Sequence, residues 1–123
     1  MIRGIGTDIV AVVRIAAALA RTGDRFIARV LHPDERALMP DGANQAAWLA
    51  KRWAAKEAAA KALGTGIGAH AALTDFAVMK TAAGAPFLVV TGAAAESAGA
   101  GACWHLSLSD DAGMALAYVV LTD

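Results

Sequence analysis

The feature that most limits how this chain can fold is a long alanine-rich segment in its middle. Residues 46–63 contain neither proline nor glycine, and Gly64-Thr65-Gly66 follows where a helix is expected to stop. We therefore predict one long helix over residues 46–63. Alanine favours a helix but adds little buried volume, so these 123 residues are expected to build a modest core. Packing against a second copy would extend that core.

The remaining segments predict a single α+β domain over residues 1–123, with helices in the first half and antiparallel strands in the second. The predicted strands are residues 2–13, 75–79, 86–91, 104–109 and 114–121. The further predicted helices are residues 13–20, 25–31, a short one that starts at His32-Pro33-Asp34-Glu35, and 93–99. Thr22-Gly23-Asp24 predicts a break or a loosened turn, and residues 110–113 predict the four-residue loop of a hairpin.

Charge and composition argue against two broad classes of protein. Eleven Lys and Arg balance eleven Asp and Glu, whereas bulk binding of nucleic acid needs an excess of positive charge. The longest uncharged stretch, residues 81–95, is interrupted by Gly84, Pro86 and Gly92 and is too short to cross a bilayer. The sequence shows no secretory signal, and the single Cys103 has no partner for a disulfide. We expect a cytoplasmic protein in which Cys103 is a small buried hydrophobe.

Asp8 is the first candidate for chemistry, because it lies in the middle of an apolar predicted strand. A carboxylate in such surroundings is costly unless it is paired, hydrogen-bonded or bound to a metal. The alternative is an aspartate at a strand end that faces solvent or caps a turn. The spacing alone leaves both interpretations open.

Glu57 is the second candidate, because it is the only acidic residue between Trp48 and Leu63. It lies among four basic residues, which are Lys51, Arg52, Lys56 and Lys61. A carboxylate surrounded by cations suits a divalent metal with phosphates around it. A solvated helix face with a Glu57–Lys61 ion pair is the alternative.

His105 is the third candidate, because the predicted strand at 104–109 alternates cleanly. Its period of two puts His105, Ser107 and Ser109 on one face, opposite Trp104, Leu106 and Leu108. A histidine on a polar face could act as a general base, or it could be an ordinary exposed residue. The sequence has no nucleophile elbow of a serine hydrolase, and Gly64-Thr65-Gly66-Ile67-Gly68 follows a helix, which does not fit a nucleotide phosphate loop.

Basic residues near the start predict a surface for an acidic partner. If the first helix continues through Gly23, then Arg14, Arg21 and Arg25 lie within a narrow arc of its surface. Such a stripe on a neutral protein suits an acidic macromolecule. A solvated charged face is the alternative.

Three segments taken together resemble the holo-acyl-carrier-protein synthases, the small bacterial 4'-phosphopantetheinyl transferases. They are Gly4-Ile5-Gly6-Thr7-Asp8-Ile9-Val10, the stretch from Arg52 to Gly68, and Trp104-His105-Leu106-Ser107-Leu108-Ser109-Asp110. The likeness extends over nearly the whole chain in the family's order and spacing. It implies helices packed on an antiparallel sheet and a homotrimer with active sites at the subunit interfaces.

The resemblance also implies a reaction, in which 4'-phosphopantetheine moves from coenzyme A to a serine of apo acyl carrier protein in support of fatty-acid biosynthesis. By similarity, Asp8 and Glu57 hold Mg²⁺, and Asp8, Glu57, Lys61 and His105 are the catalytic residues. The implied contacts to coenzyme A come from Arg52, Lys61, Gly64, Pro86 and His105. The stripe of Arg14, Arg21 and Arg25 matches the helix that docks the carrier protein.

Two positions depart from the family's usual pattern. Ala85 stands before Pro86 where a lysine is common, which predicts a weaker hold on coenzyme A. Trp53 replaces a phenylalanine beside Glu57. The alternatives to the implied reaction are a catalytically silent trimer that binds carrier protein and a different Mg²⁺-dependent phosphotransferase.

Overall fold

The computed structural model describes residues 1–123 and contains five α-helices and five strands. In chain order they are β1 (Ile2–Ala11), α1 (Val12–Thr22), α2 (Asp24–Val30), α3 (Pro33–Arg36), α4 (Gln45–Leu63), β2 (Phe76–Lys80), β3 (Pro86–Val90), α5 (Gly92–Ala98), β4 (Cys103–Asp111) and β5 (Met114–Thr122). Single turns of 3₁₀ helix lie at Gly42–Asn44 and Leu73–Asp75. This order confirms the predicted α+β class.

The strands form two antiparallel sheets, one with the order β1-β5-β4 and one made of β2 and β3. The first strand thus pairs with the last, and β5 lies in the middle of the larger sheet. Side chains along β5 alternate between a buried and an exposed face, as a period of two requires. The buried face carries Ala115, Ala117, Val119 and Leu121.

Helix α4 packs across the buried face of the larger sheet, closest to β1. The approach is so close that a Cβ atom at Gly4 or Gly6 would overlap the carbonyl oxygen of Ala62 or Ala58. Glycine on the strand and alanine on the helix therefore make the contact possible. Because Glu57 and Lys61 are neighbours of these alanines in the sequence, the contact holds both beside β1.

The predicted end of the long helix is confirmed at Gly64. This residue has a φ of 89°, in the left-handed region that favours glycine, and its N–H donates to the carbonyl of Ala60. The observed helix starts one residue earlier than predicted, at Gln45.

Of two predicted local features, one is confirmed and one is wrong. The break predicted at Thr22-Gly23-Asp24 is confirmed: Gly23, with a φ of 47°, ends α1, and α2 is a separate helix, so Arg14, Arg21 and Arg25 do not share one continuous helix. The predicted length of the last hairpin loop is wrong. The β4–β5 ladder extends to the pair Asp111–Met114, so the hairpin loop has two residues and not four. Ala112 and Gly113 both have positive φ, the geometry whose twist matches that of paired strands.

Cys103 is exposed, which corrects the expectation of a buried thiol. It is the first residue of β4, where the alternation of the strand turns Trp104 towards the core and Cys103 away from it. None of the helices is both long enough and apolar enough to cross a membrane.

Candidate active site

Asp8 and Lys61 meet where β1 packs against α4. The Lys61 ammonium lies 3.3 Å from Asp8 Oδ1 and donates to the Thr7 carbonyl at 2.9 Å. Asp8 is two residues from both Gly6 and Val10, the buried residues of β1, and therefore lies on the same face of the strand. Its side chain lies on the side of α4 and is only 17% exposed. The interpretation of Asp8 as a solvent-facing aspartate at a strand end is therefore wrong.

Glu57 belongs to the same cluster, because it lies one turn before Lys61 on α4. Burial raises the pKa of its carboxyl above the ordinary value, and the negative charge of nearby Asp8 raises it further. The positive charges of Lys61, Arg14 and Arg29 lower the pKa of Glu57 and so oppose these two effects. The fold thus holds two carboxylates close together, an arrangement that a bound cation would stabilise.

Two of the four cations expected around Glu57 do not face it. Arg52 and Lys56 are buried, with side chains 4% and 0% exposed, and both lie beside Glu35. The Arg52 guanidinium stacks over Trp48 at 3.6 Å from the ring centre, and burial lowers its pKa to about 10. A side chain so enclosed offers almost no surface to a ligand, which corrects the expectation that Arg52 contacts a phosphate of coenzyme A.

A groove of about 450 Å³ opens between α1, α2 and α4. Three arginines line it, Arg14, Arg21 and Arg29, together with the aromatic rings of Phe26 and Trp53. The two rings stack at 6.0 Å between centroids. Since Arg14 and Arg29 also influence Glu57, this arginine groove opens next to the carboxylate pair.

The predicted basic stripe is rearranged by the break at Gly23. Arg14 and Arg21 lie in the arginine groove, whereas Arg25 lines the adjoining hollow, where Arg29 also lies. Sequence reasoning missed Arg29. The available signal was its spacing, four residues after Arg25, which places both on one side of α2.

His105 lies on the other face of the larger sheet. Its neighbours across the sheet are Val120 and then Ile5, on the exposed side, whereas those of Asp8 are Ala117 and then Leu108. Residues paired across strands share a face. His105 contacts the Thr122 hydroxyl at 3.0 Å, so one chain does not bring it to the carboxylate pair.

Gly64 and Pro86 lie in different parts of the chain. Gly64 follows Lys61 by three residues and opens the loop after α4. Pro86 begins β3, which packs beside β4, the edge of the larger sheet opposite Asp8. Nothing in one chain joins Pro86 to the Asp8 cluster.

The chain has this fold and cluster, and it belongs to the 4'-phosphopantetheinyl transferase superfamily, whose family sequence model matches residues 4–119. It is similar to the holo-[acyl-carrier-protein] synthase of Halorhodospira halophila, with 51% identity over 123 residues and 98% of each chain covered. It also resembles the solved holo-[acyl-carrier-protein] synthase of Neisseria meningitidis, with 37% identity, a TM-score of 0.89 and both chains covered completely. The synthase of Helicobacter pylori in complex with coenzyme A shows 32% identity and a TM-score of 0.84, with 96% of this chain and 99% of that chain covered.

Proposed function

We propose that this chain transfers 4'-phosphopantetheine from coenzyme A to a serine of apo acyl carrier protein, releasing adenosine 3',5'-bisphosphate, in support of fatty-acid biosynthesis. Its relatives are named for the synthesis of holo-acyl-carrier-protein. The observation that carries the proposal is the meeting of Asp8, Glu57 and Lys61 beside the arginine groove. In this cluster two carboxylates, the type of ligand that Mg²⁺ takes from proteins, lie next to a surface suited to an acidic protein.

Mg²⁺ is part of the proposal, with Asp8 and Glu57 as the residues that would hold it. The chain has no group of three or more His, Cys, Asp or Glu side chains placed to hold a metal. Two carboxylates still fit Mg²⁺, because this ion keeps several waters and takes the rest of its ligands from substrate phosphates. The pKa of Glu57 is raised first by burial and then by the negative charge of Asp8, and a cation bound between the two carboxylates would oppose both effects. When bound, Mg²⁺ supplies charge neutralisation at the pyrophosphate of coenzyme A.

Lys61 is the side chain best placed to act on the phosphates. Its ammonium lies beside Asp8, and its side chain is 52% exposed, so a phosphate can reach it from solvent. The serine oxygen forms a bond to the phosphorus that carries pantetheine, and the bond from this phosphorus to the bridging oxygen breaks. Lys61 stabilises the negative charge that the departing adenosine bisphosphate gains. A base accepts the proton of the serine hydroxyl.

The arginine groove is the proposed docking surface for the carrier protein. Arg14, Arg21 and Arg29 line it, and Arg25 lies in the adjoining hollow. Positive charge concentrated on one part of a protein whose net charge is zero attracts an acidic partner and orients its approach. Docking there would bring the acceptor serine next to the Asp8–Glu57 pair.

A homotrimer with active sites between copies completes the proposal. The sheet face that carries His105 also exposes large apolar side chains: Ile5, Ile9, Leu116 and Tyr118 are 38% to 57% exposed. An apolar face of this kind is typical of an interface between copies. Through such an interface, His105 of one copy would reach coenzyme A held at Asp8 and Glu57 of the next. A cytoplasmic location stays a prediction.

Intact-mass spectrometry tests the reaction directly. Apo acyl carrier protein incubated with the protein, coenzyme A and Mg²⁺ should gain about 340 Da, the mass of one phosphopantetheine group, and EDTA should prevent the gain. Binding of the carrier without a mass gain would instead indicate a catalytically silent trimer. Phosphate transfer without release of adenosine 3',5'-bisphosphate would indicate a different phosphotransferase.

A further inference from the structure

The residue that precedes Glu57, Lys56, forms a buried ion pair with Glu35 that the proposed reaction does not use. The side chains of Lys56 and Glu35 are both completely buried. The Lys56 ammonium donates to Glu35 Oε1 at 2.5 Å, to the carbonyl of Phe76 at 2.5 Å and to that of Leu73 at 3.2 Å. All three of its protons therefore have acceptors.

Glu35 connects this lysine to two further parts of the fold. Its Oε1 accepts from the backbone N–H of His32, which closes the capping box of α3, and its Oε2 accepts from the backbone N–H of Val78 in β2. Helix α4 is thus joined through one side chain to α3 and to the smaller sheet. Burial lowers the pKa of Lys56, and the Glu35 carboxylate opposes that effect.

Most of the other buried side chains of α4 are too small to fix its rotation by interlocking with their neighbours. The buried residues that surround Lys56 on this helix are mainly alanines, at positions 54, 55, 58, 59, 60 and 62. Methyl groups make a nearly smooth cylinder, whereas interlocking of helices depends on large side chains fitting between others. Lys56 is the bulkiest fully buried side chain of the whole protein and the only one on α4 with three hydrogen bonds to other elements.

We infer that the buried Lys56–Glu35 pair fixes the rotation of α4 about its axis and thereby points Glu57 and Lys61 at Asp8. Successive residues of a helix project about 100° apart, so the direction of Lys56 dictates the direction of Glu57. Turning Glu57 away from Asp8 would break the three hydrogen bonds of Lys56. A buried ion pair suits such a role, because separating its partners would leave an uncompensated buried charge. The pair is a positioning device, and only its consequence for Mg²⁺ rests on the proposed function.

The inference is testable in the metal-free protein through the titration of Glu57. The chain has only three glutamates, Glu35, Glu57 and Glu96, so ¹³C-labelled glutamate gives few carboxyl signals. The variant Lys56→Met with Glu35→Gln removes one charge of each sign and leaves the local net charge unchanged. We expect the titration midpoint of Glu57 to fall by at least about half a pH unit as it moves away from Asp8 and into solvent. An unchanged midpoint in the folded double variant would overturn the inference.

A matched control separates rotation of the helix from general loss of stability. Val30→Ala opens a cavity in α2, where Val30 is completely buried, and should leave the Glu57 midpoint in place. If the double variant does not fold, Lys56→Met alone is used, because Glu35 then keeps two backbone N–H donors and the Arg52 charge 3.9 Å away. A fall of the midpoint in this variant supports the inference. If neither variant folds, the result counts against the inference, because the pair then contributes to stability alone.

The same measurements distinguish this inference from the proposed function. The Glu57 titration needs neither metal nor substrate. A wild-type protein that never modifies a carrier, with a midpoint that still falls in the variants, would reject the proposed function and keep the positioning role. The reverse result, a working enzyme with an unchanged midpoint in the variants, would reject the positioning role alone.

Discussion

His105 and Asp8 lie on opposite faces of one three-stranded sheet. Their strands, β4 and β1, are its two edges, with β5 between them. Asp8 lies on the side of the sheet that α4 covers, whereas His105 lies on the exposed side with Ile5 and Tyr118. An active site that uses both residues must therefore take them from different copies of the chain.

This arrangement predicts that two inactive variants can restore each other's activity. When Glu57→Gln and His105→Ala chains assemble together at equal amounts, about a quarter of the interfaces combine an intact glutamate with an intact histidine. The assembled mixture as a whole should thus regain about a quarter of wild-type turnover, measured as carrier modification by mass spectrometry. The control is the same pair of variants kept as separate trimers. Refolded mixtures that stay inactive would contradict sites shared between copies.

Loss of the Glu57 carboxylate should abolish turnover without unfolding the protein. Glu57→Gln keeps the shape of the side chain but removes a charge that the proposed Mg²⁺ site needs, so we expect a fall in turnover of at least about 100-fold. Titration of Mn²⁺ monitored by calorimetry should show the same loss of affinity. Glu96→Gln is the matched control, because Glu96 is exposed on α5, outside the cluster. Near-normal rates for Glu57→Gln at limiting Mg²⁺ would contradict the metal assignment.

The raised pKa of Glu57 makes a prediction about stability in the absence of metal. Between the ordinary glutamate pKa of 4.5 and the higher value in the fold, the folded state binds more protons than the unfolded state. The free energy of unfolding contributed by this group therefore falls as pH rises through that window, and the cost persists above it. Glu57→Gln should thus be more stable than the wild type at neutral pH in EDTA, with the difference shrinking towards pH 4. Urea unfolding at several pH values measures this difference, and a variant that is less stable at neutral pH would contradict it.

Features of short range were predictable from the sequence. The alternation of β4, the end of α4 at Gly64 and the Glu57–Lys61 spacing follow from periods of 2 and 3.6 residues and from the backbone freedom of glycine. The burial of Lys56 was not predictable, because its partner Glu35 precedes it by 21 residues and belongs to another element. Which face of β1 is exposed was not predictable either, because apolar side chains occur on both faces: Ile5 lies on the exposed face and Val10 on the buried one.

Reversing charge in the arginine groove should weaken binding of the carrier protein and leave binding of coenzyme A unchanged. Arg14→Glu with Arg21→Glu is expected to reduce affinity for the carrier at least about tenfold and to flatten its dependence on salt. Calorimetric titration of each ligand separates the two effects. Arg3→Glu with Arg36→Glu is the control, because it changes the net charge equally and neither residue lines the groove or its adjoining hollow. A parallel loss of affinity for coenzyme A would assign Arg14 and Arg21 to that site instead.

A lysine at position 85 should strengthen the hold on coenzyme A. Ala85 is exposed in the turn before Pro86, and its hydrogen bonds to Thr81 use only its backbone atoms. A longer side chain therefore fits without disturbing the turn. Because one exposed cation contributes up to about 1 kcal/mol, Ala85→Lys is expected to lower the KM for coenzyme A by up to about fivefold and to leave kcat unchanged.

Steady-state kinetics at several salt concentrations checks this expectation, since the gain should shrink as salt screens the added charge. Ala85→Gln, which adds length without charge, is the control and should leave the KM near the wild-type value. An equal improvement in both variants would assign the effect to packing. No improvement with lysine would mean that position 85 lies outside the reach of the coenzyme A phosphates in this protein.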